Sequence, residues 1–157
     1  MPKILIRRAA EQDLPRLVGL LAADRLGAAR ETPQELDPYR KAFTAINTSP
    51  HQILAVAETT GVVVGTVQLS FLQGLAWRGS LRALTEALYV HPDHRGIGIG
   101  TTMMGWTIRQ ARARGCAIME LTSHQSRTDA HDFYTRLGFT HSHAGFKLFL
   151  HDTPQTP

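Results

Sequence analysis

Apolar residues recur at helical spacing near the start of the chain. A short β-rich run over residues 3–8 comes first. The helix that follows is expected to end at Gly27, and its buried face is formed by Leu14, Leu17, Val18 and Leu21. A second helical stretch, residues 31–47, interrupted near Asp37-Pro38, has an apolar side made of Tyr39, Phe43 and Ile46. The first third of the chain therefore predicts one strand and two amphipathic helices.

The middle of the chain has the composition of strands. Residues 53–58 and 62–71 are rich in apolar and β-branched residues, and Thr59-Thr60-Gly61 separates them, which predicts a hairpin. A longer strand is predicted over residues 81–90, and it ends at His91-Pro92. These segments form the antiparallel half of a sheet.

The last third alternates helices and strands. The predicted elements are a helix over 99–114 with Gly115 as its C-cap, a strand over 117–122, a helix over 129–137, and closing strands over 139–141 and 145–150. This order predicts an α/β domain with one mostly antiparallel sheet of six to seven strands and about four flanking helices. We expect one domain over residues 1–151 and a short flexible tail over 152–157.

Composition narrows the class of protein. The 157 residues are 43% apolar and 19% charged, as in a globular domain of ordinary size. The net charge of +4 suits an anionic ligand. Nucleic acid binding is not expected, because no dense Lys/Arg run is interleaved with aromatic residues. No apolar stretch approaches the roughly twenty residues of a membrane span, and no signal peptide is recognisable. The single cysteine, Cys116, excludes an intrachain disulfide and fits the cytoplasm.

Alternating glycines follow the fourth predicted strand. Gly96, Gly98 and Gly100 leave the backbone accessible at the start of a helix, where free N–H groups bind phosphate, and Arg95 adds a cation. A plain strand-to-helix turn is the alternative for the glycine pattern alone. The spacing differs from the Rossmann fingerprint, and no Gly-Lys-Ser/Thr follows as in a Walker A loop.

The wider sequence resembles a known family. The segment that carries the glycines is Val90-His91-Pro92-Asp93-His94-Arg95-Gly96-Ile97-Gly98-Ile99-Gly100, and it resembles motif A of the GNAT family of N-acetyltransferases, V-x-P-x-x-R/Q-G-x-G-x-G/A. The later segment Ala130-His131-Asp132-Phe133-Tyr134-Thr135-Arg136-Leu137-Gly138-Phe139 resembles motif B. The resemblance covers roughly residues 4–150. It implies the GNAT fold, with a sheet splayed between strands 4 and 5, and acetyl-CoA as cosubstrate.

The resemblance also implies a set of site residues. Backbone amides of the motif A turn would hold the CoA pyrophosphate, and the fourth strand would pair with the pantetheine arm. The implied cofactor-binding residues are Leu88, Tyr89, Val90, Arg95, Gly96, Ile97, Gly98, Ile99, Gly100 and Thr101. Arg127 stands where many members have asparagine, and it is a further candidate for a CoA phosphate contact.

Two residues are implied to do the chemistry. Tyr134 is the implied general acid for the departing thiolate, and Glu86 is the implied base. A glutamate carboxylate is a much weaker base than an amine, so Glu86 serves only if burial strengthens it or if water relays the proton. The alternatives are a carboxylate at Glu86 that only orients the amine and a tyrosine at Tyr134 that only packs. Regular alternation would place Glu86, Leu88 and Val90 on one face of the strand.

The histidines do not predict a metal site. His91 and His94 lie in a turn, His141 and His143 alternate on a predicted strand, and no acidic cluster joins them. His124 and His131, which lie near Tyr134 in sequence, are the better functional candidates. We expect no metal ligands.

The acceptor is the least determined part of the function. Residues 127–134 and 142–147 are similar to the aminoalkylphosphonate N-acetyltransferase branch, in which a divalent metal has been implicated, and Arg78 and Arg82 would then help an anionic substrate. A small amine acceptor is expected, with no nucleic acid or membrane partner, and a homodimer in the cytoplasm. A protein N-terminal or lysine acetyltransferase, a non-catalytic acyl-CoA-binding or regulatory domain and a basic nucleic-acid-binding module remain alternatives.

Overall fold

The computed structural model describes residues 2–151. Its strands are β1 (Ile4–Arg8), β2 (Gln52–Thr59), β3 (Val62–Gln73), β4 (Leu81–Val90) and β5 (Ile118–Leu121). Its helices are α1 (Leu14–Ala23), α2 (Asp37–Thr48), α4 (Ile99–Ala113) and α5 (Thr128–Arg136). The segment α3 (Ala76–Gly79) is a single turn, in which Trp77 and Arg78 have left-handed backbone angles. Short 3-10 turns precede α1 and α4. The predicted tail over 152–157 lies outside the described residues.

One sheet organises the domain. Its strand order is β1-β2-β3-β4-β5; neighbours are antiparallel except for the parallel pair β4–β5. The predicted α/β class with a mostly antiparallel sheet is confirmed. The β4–β5 ladder ends at Thr85 and Leu121, whereas β4 continues to Val90. Residues 86–90 of β4 are therefore paired with β3 alone among the described residues, which is the splay that the resemblance implied.

The closing strands are the main difference from the predicted elements. Residues 139–150 follow α5 without regular secondary structure, so the described sheet has five strands and not six to seven. Phe146 and Leu148 are 94% and 84% exposed, and Leu150 is also exposed. Alternating apolar residues give this segment strand propensity, but a strand also needs a neighbour to receive its backbone hydrogen bonds. The pattern was therefore insufficient to predict pairing within one chain.

The observed boundaries of the first two helices differ from the predicted ones, and the local backbone explains each difference. The first helix ends at Ala23 and not at Gly27, because a tight turn follows in which the Gly27 amide donates to the Asp24 carbonyl at 2.9 Å. A Cβ at Gly27 would lie 1.9 Å from the Leu21 carbonyl oxygen, so only glycine fits this turn. The second helix begins at Asp37, with Pro38 in its first turn, where a missing amide hydrogen costs nothing.

Each face of the sheet carries its own apolar core. On one face, α4 packs Ile99 and Met103 against β2, β3 and β4, together with Val67 and Leu69. On the other face, α1 and α2 pack against a second cluster, whose members include Leu17, Leu20, Phe43, Val56 and Tyr89. No helix within residues 2–151 is long and apolar enough to cross a membrane. The sheet is thus packed between two helical layers.

A β-bulge interrupts β4 directly after the predicted base. Ala87 has φ of 50°, in the left-handed region, and the register with β3 shifts between Thr66 and Gln68. Before the bulge Glu86 pairs with Gln68, and after it Tyr89 pairs with Thr66. The predicted alternation is therefore wrong beyond Glu86: Leu88 and Val90 pack on the α4 side, whereas Tyr89 lies on the opposite side.

Candidate active site

The turn after β4 has the geometry of an anion cradle. Gly96 and Gly98 have φ of 77° and 87°, values that side chains other than glycine seldom adopt. A Cβ added at either residue would meet no protein atom within 4 Å, so open space adjoins the turn. The first α4 hydrogen bond runs from the Thr102 amide to the Gly98 carbonyl at 2.9 Å. The amides of Ile99, Gly100 and Thr101 therefore precede the helical ladder, as a phosphate site requires.

Arg95 is fixed beside this turn. Its Nε donates to the Val90 carbonyl at 2.9 Å, and its guanidinium carbon lies 5.2 Å from the centroid of the Tyr89 ring. This is a cation–π contact of ordinary length. The cation is thus held near the turn before any ligand arrives, which fits the site for the anionic phosphates of CoA.

The end of β4 offers backbone hydrogen-bonding groups that fit the extended pantetheine arm of CoA. Beyond Thr85 the described part of the chain provides β4 with no second neighbour, because β5 stops at Leu121. The backbone of Leu88, Tyr89 and Val90 therefore borders a gap in the sheet, where an extended amide-containing chain would find hydrogen-bonding partners.

Glu86 is an exposed side chain. Since it shares a face with Gln68 and precedes the bulge, its carboxylate lies on the side of the sheet covered by α1 and α2. Burial, one of the two ways of strengthening a carboxylate base, is absent here. Exposure instead favours proton relay through water.

Tyr134, which lies on α5, is packed between two aromatic rings. Its ring centroid lies 5.2 Å from that of Phe133 and 5.9 Å from that of Phe139, and both contacts are edge-to-face. Burial raises the pKa of the Tyr134 phenol above 10.0, and the positive charge of Arg127 opposes that rise. Both neighbours hold the ring, and Arg127 tunes its acidity.

Phe133 connects this helix to the phosphate turn, which is the glycine-rich segment 95–101 that is predicted to bind the CoA phosphates. A Cβ added at Gly100 would lie 3.4 Å from Phe133 Cζ, so α5 packs on the first turn of α4. The two segments that resembled motifs A and B are thereby neighbours in space, although 33 positions separate Gly100 from Phe133.

Arg127 has a partner that sequence reasoning missed. Its guanidinium forms an ion pair with the Asp24 carboxylate at the end of α1. No sequence pattern pointed to Asp24, because the two residues lie 103 positions apart. The contact places Arg127 at the boundary between the α1–α2 connection and α5, and a CoA phosphate contact for it stays a prediction.

The histidines form pairs and not a cluster of ligands. The rings of His91 and His94 lie 5.6 Å apart, as do those of His131 and His141. His131 Nε2 hydrogen-bonds the His124 carbonyl oxygen at 3.0 Å, which pins the start of α5 to the loop before it. Within the described residues no group of three or more His, Cys, Asp or Glu side chains is arranged to hold a metal ion.

Comparison with known proteins agrees with this geometry. The model of the Acetyltransferase (GNAT) family matches residues 14–139. The aminoalkylphosphonate N-acetyltransferase of Salmonella typhimurium is 30% identical over 155 residues, which cover 96% of this chain and 94% of that protein. A crystal structure of a transcriptional regulator from Bacillus halodurans C-125 is 38% identical with a TM-score of 0.92, covering 94% of this chain and all of that one.

A more distant solved structure shares the fold. An aminoglycoside N-acetyltransferase in complex with CoA has a TM-score of 0.79 at 18% identity, over 95% of both chains. The family match covers well over half of the sequence and includes both the phosphate turn and α5. The chain therefore belongs to the GNAT family of acetyltransferases, enzymes whose cosubstrate is acetyl-CoA.

Proposed function

We propose that the protein transfers an acetyl group from acetyl-CoA to the primary amine of a small molecule, by direct attack within a ternary complex. The observation that carries the proposal is the packing of Phe133 against Gly100. This packing joins the helix of a candidate proton donor, Tyr134, to the turn that fits the CoA phosphates. A phosphate cradle alone would support binding, whereas a proton donor anchored next to it supports transfer.

The residues that would hold the cofactor divide into two groups. The backbone of residues 95–101 would bind the pyrophosphate through the amides at the start of α4, and the cation of Arg95 would add charge. The backbone of residues 88–90 would bind the extended arm at the gap in the sheet. When bound there, acetyl-CoA supplies a thioester, whose carbonyl carbon accepts the lone pair of the amine.

Glu86 is proposed to remove the proton from the acceptor ammonium through water. Since the carboxylate is exposed, water reaches it; the carboxylate orients and polarises that water, which accepts the ammonium proton and passes it to solvent. The amine must lose one proton before attack and a second when the amide forms. A relay serves both losses, because each ends in bulk water.

Tyr134 is proposed to donate to the sulfur as the C–S bond breaks. A tyrosine near pKa 10 is a weaker acid than a thiol near 8.5, so full proton transfer is uphill by about 2 kcal/mol. Burial raises the pKa of Tyr134 further, which increases that cost. A hydrogen bond from the phenol to the developing thiolate therefore supplies most of the stabilisation, and the partly buried setting strengthens it.

The acceptor is proposed to be a small amine that carries an anionic group. The support is the 30% identical relative, which acts on aminoalkylphosphonates, and the basic balance of the chain. Arg82 already pairs with Glu120 at 2.8 Å, so it is partly neutralised. Arg78 is exposed and follows Trp77 in a left-handed turn, which makes it the more available of the two predicted cations.

The proposal is tested by measuring CoA release with aminoalkylphosphonates, amino acids, polyamines, aminoglycosides and peptides with free N-termini. Tyr134→Phe should retain CoA binding and lose about 10²–10³-fold in kcat, the usual cost of one donor to developing negative charge. Thr135→Val is the control, because it removes the neighbouring hydroxyl on α5, which donates to the His131 carbonyl of the same helix at 2.9 Å. An unchanged kcat in Tyr134→Phe would show that Tyr134 is not the proton donor. Tight CoA binding without turnover for any amine would favour the non-catalytic alternative.

A homodimer in the cytoplasm is also proposed. Residues 145–150 carry three exposed apolar side chains, Phe146, Leu148 and Leu150, while β5 pairs with β4 alone among the described strands. A second copy of the chain fits this arrangement, because each copy offers both an unpaired strand-like segment and an unpaired edge. The absence of any disulfide-forming cysteine pair fits a reducing compartment.

Light scattering tests the dimer. The native chain should have twice the mass of the monomer, and a variant with Phe146→Ser and Leu148→Ser should lower that mass toward the monomer. Leu75→Ser is the control, because Leu75 is 95% exposed and lies elsewhere, before α3. A monomeric native chain at micromolar concentration would refute the proposal.

A further inference from the structure

Two side-chain contacts join segments that are far apart in sequence. The Asp24 carboxylate pairs with the Arg127 guanidinium, and the next residue, Arg25, donates from Nη2 to Ser126 Oγ at 3.0 Å. The contacts run in opposite directions along the two segments, 24 with 127 and 25 with 126. They fasten the start of the α1–α2 connection (residues 24–36) to the loop before α5.

The first contact is the better shielded. The Asp24 side chain is 14% exposed and the Arg127 side chain 32% exposed, whereas the Asp37–Arg40 pair is exposed by 86% and 53%. Exposed pairs are screened by solvent and contribute little, but a partly buried pair resists separation because each charge would be left without its partner. Asp24 and Arg127 are therefore a persistent contact.

Arg127 also connects this contact to the candidate proton donor. It is the N-cap residue of α5, and its carbonyl accepts the His131 amide at 3.0 Å, so its position is tied to the first turn of the helix. Tyr134 lies seven residues later, two turns along the same side of the helix. The guanidinium acts on the phenol electrostatically, since its charge opposes the effect of burial on the pKa of Tyr134.

We propose that Asp24 is a positioning residue, which holds the Arg127 cation within electrostatic range of Tyr134 and fixes the α1–α2 connection against the start of α5. This inference rests on the proposed role of Tyr134. The carboxylate does two separable things: it closes the contact between two segments, and it determines which side of that contact carries the positive charge.

A charge exchange separates these two effects. In Asp24→Asn the contact loses its ionic component, whereas in the double variant Asp24→Arg/Arg127→Asp the ion pair is restored with the cation on the α1 side. Asp24→Glu keeps the original polarity and serves as the conservative rescue. Asp37→Asn is the matched control, because it removes one carboxylate from an exposed pair.

Hydrogen exchange and steady-state kinetics read the two effects. Asp24→Asn should increase amide exchange about tenfold in peptides that cover residues 24–31 and 124–130, and lower kcat about tenfold with the KM for acetyl-CoA within threefold of native. Asp24→Glu should recover most of both. The exchanged pair should recover the slow amide exchange but not kcat, because a carboxylate would then face Tyr134.

Two results would overturn the inference. Native exchange rates in Asp24→Asn would show that the contact does not hold the segments, and native kcat in the exchanged pair would show that the polarity is irrelevant to Tyr134. If the native enzyme turned over no amine, the proposed function would fail, while the exchange measurements would still decide whether Asp24 fastens the connection.

Discussion

Gly98→Ala is the sharpest test of the phosphate turn. Gly98 has φ of 87°, and an added Cβ meets no protein atom within 4 Å, so the substitution causes backbone strain without a clash. An L-residue in the left-handed region costs about 1–2 kcal/mol. At about 2–4 °C per kcal/mol for a domain of this size, the melting temperature should fall by about 2–8 °C.

The effect on the ligand is separate and larger. If the strained turn relaxes, it moves an amide at the start of α4 away from the CoA pyrophosphate. A hydrogen bond to a charged group contributes about 1.5–3 kcal/mol. Losing one such bond should therefore raise the Kd for CoA by about 10- to 150-fold.

Gly115 supplies the matched control. It lies at the opposite end of α4 with φ of 72°, and an added Cβ there also meets open space. Gly115→Ala should lower the melting temperature by a similar amount and leave the affinity for CoA unchanged. Titration calorimetry with CoA and thermal unfolding measure both quantities without an acceptor. Equal CoA affinities in the two variants, within twofold, would refute the placement of the phosphates at this turn.

Three further outcomes follow from the geometry. Ala87→Gly should raise the free energy of unfolding by about 1 kcal/mol, measured in urea, because φ of 50° strains alanine but not glycine; a loss would contradict the bulge. Asp13→Asn should cost about 1.5–3 kcal/mol at pH 7, because it removes the charge from the hydrogen bonds with Arg7, which keeps Glu58 as a partner. Those hydrogen bonds hold the pKa of Asp13 below 3.8, so in the native chain their stabilisation is complete above pH 3.8 and fades as the pH falls further. The decrease of kcat at alkaline pH that we assign to Tyr134 should have its midpoint above pH 10.0, and it should be absent in Tyr134→Phe. A decrease that persists in this variant would belong to another group.

The pair Arg7–Asp13 illustrates why such costs are large. Asp13 accepts from Arg7 Nη1 at 2.7 Å and Nη2 at 3.0 Å, and from the Ala10 amide at 2.7 Å, while Arg7 Nε donates to Glu58 at 2.9 Å. One carboxylate thus accepts hydrogen bonds both from Arg7 on the edge strand β1 and from the Ala10 amide that precedes α1. Removing it would leave the Arg7 cation and a backbone donor short of partners.

Local patterns predicted most of the fold because they depend on neighbouring residues. Leu14 to Leu21 gave α1, the Thr59–Gly61 turn gave the β2–β3 hairpin, and Gly115 marked the end of α4. The prediction of the closing strands was wrong because pairing depends on a free strand edge in another part of the sheet. The bulge at Ala87 was not predicted because alanine carries no signal for a positive φ.

The candidate site shows the same division. The glycine-rich turn after β4 was predictable because Gly96, Gly98 and Gly100 recur at alternate positions of one short segment, and its binding of the CoA phosphates stays a prediction. The contact of Phe133 with Gly100 and the pairing of Arg127 with Asp24 were not predictable, since each joins segments separated by 33 and 103 positions. Charge and aromatic character identified one partner in each case, and only the packing identified the other.

The bulge in β4 makes the number of residues between Glu86 and the turn important for the candidate site. Between Glu86 and the phosphate turn the strand contains one residue more than its partner, and that surplus decides which way Leu88, Tyr89 and Val90 face. Deleting Ala87 would remove no reactive group, yet it would reverse all three side chains and shorten the distance from the carboxylate to the turn. The spacing between the candidate base and the turn therefore depends on a single uncharged residue, Ala87, which contributes chain length and not a reactive group.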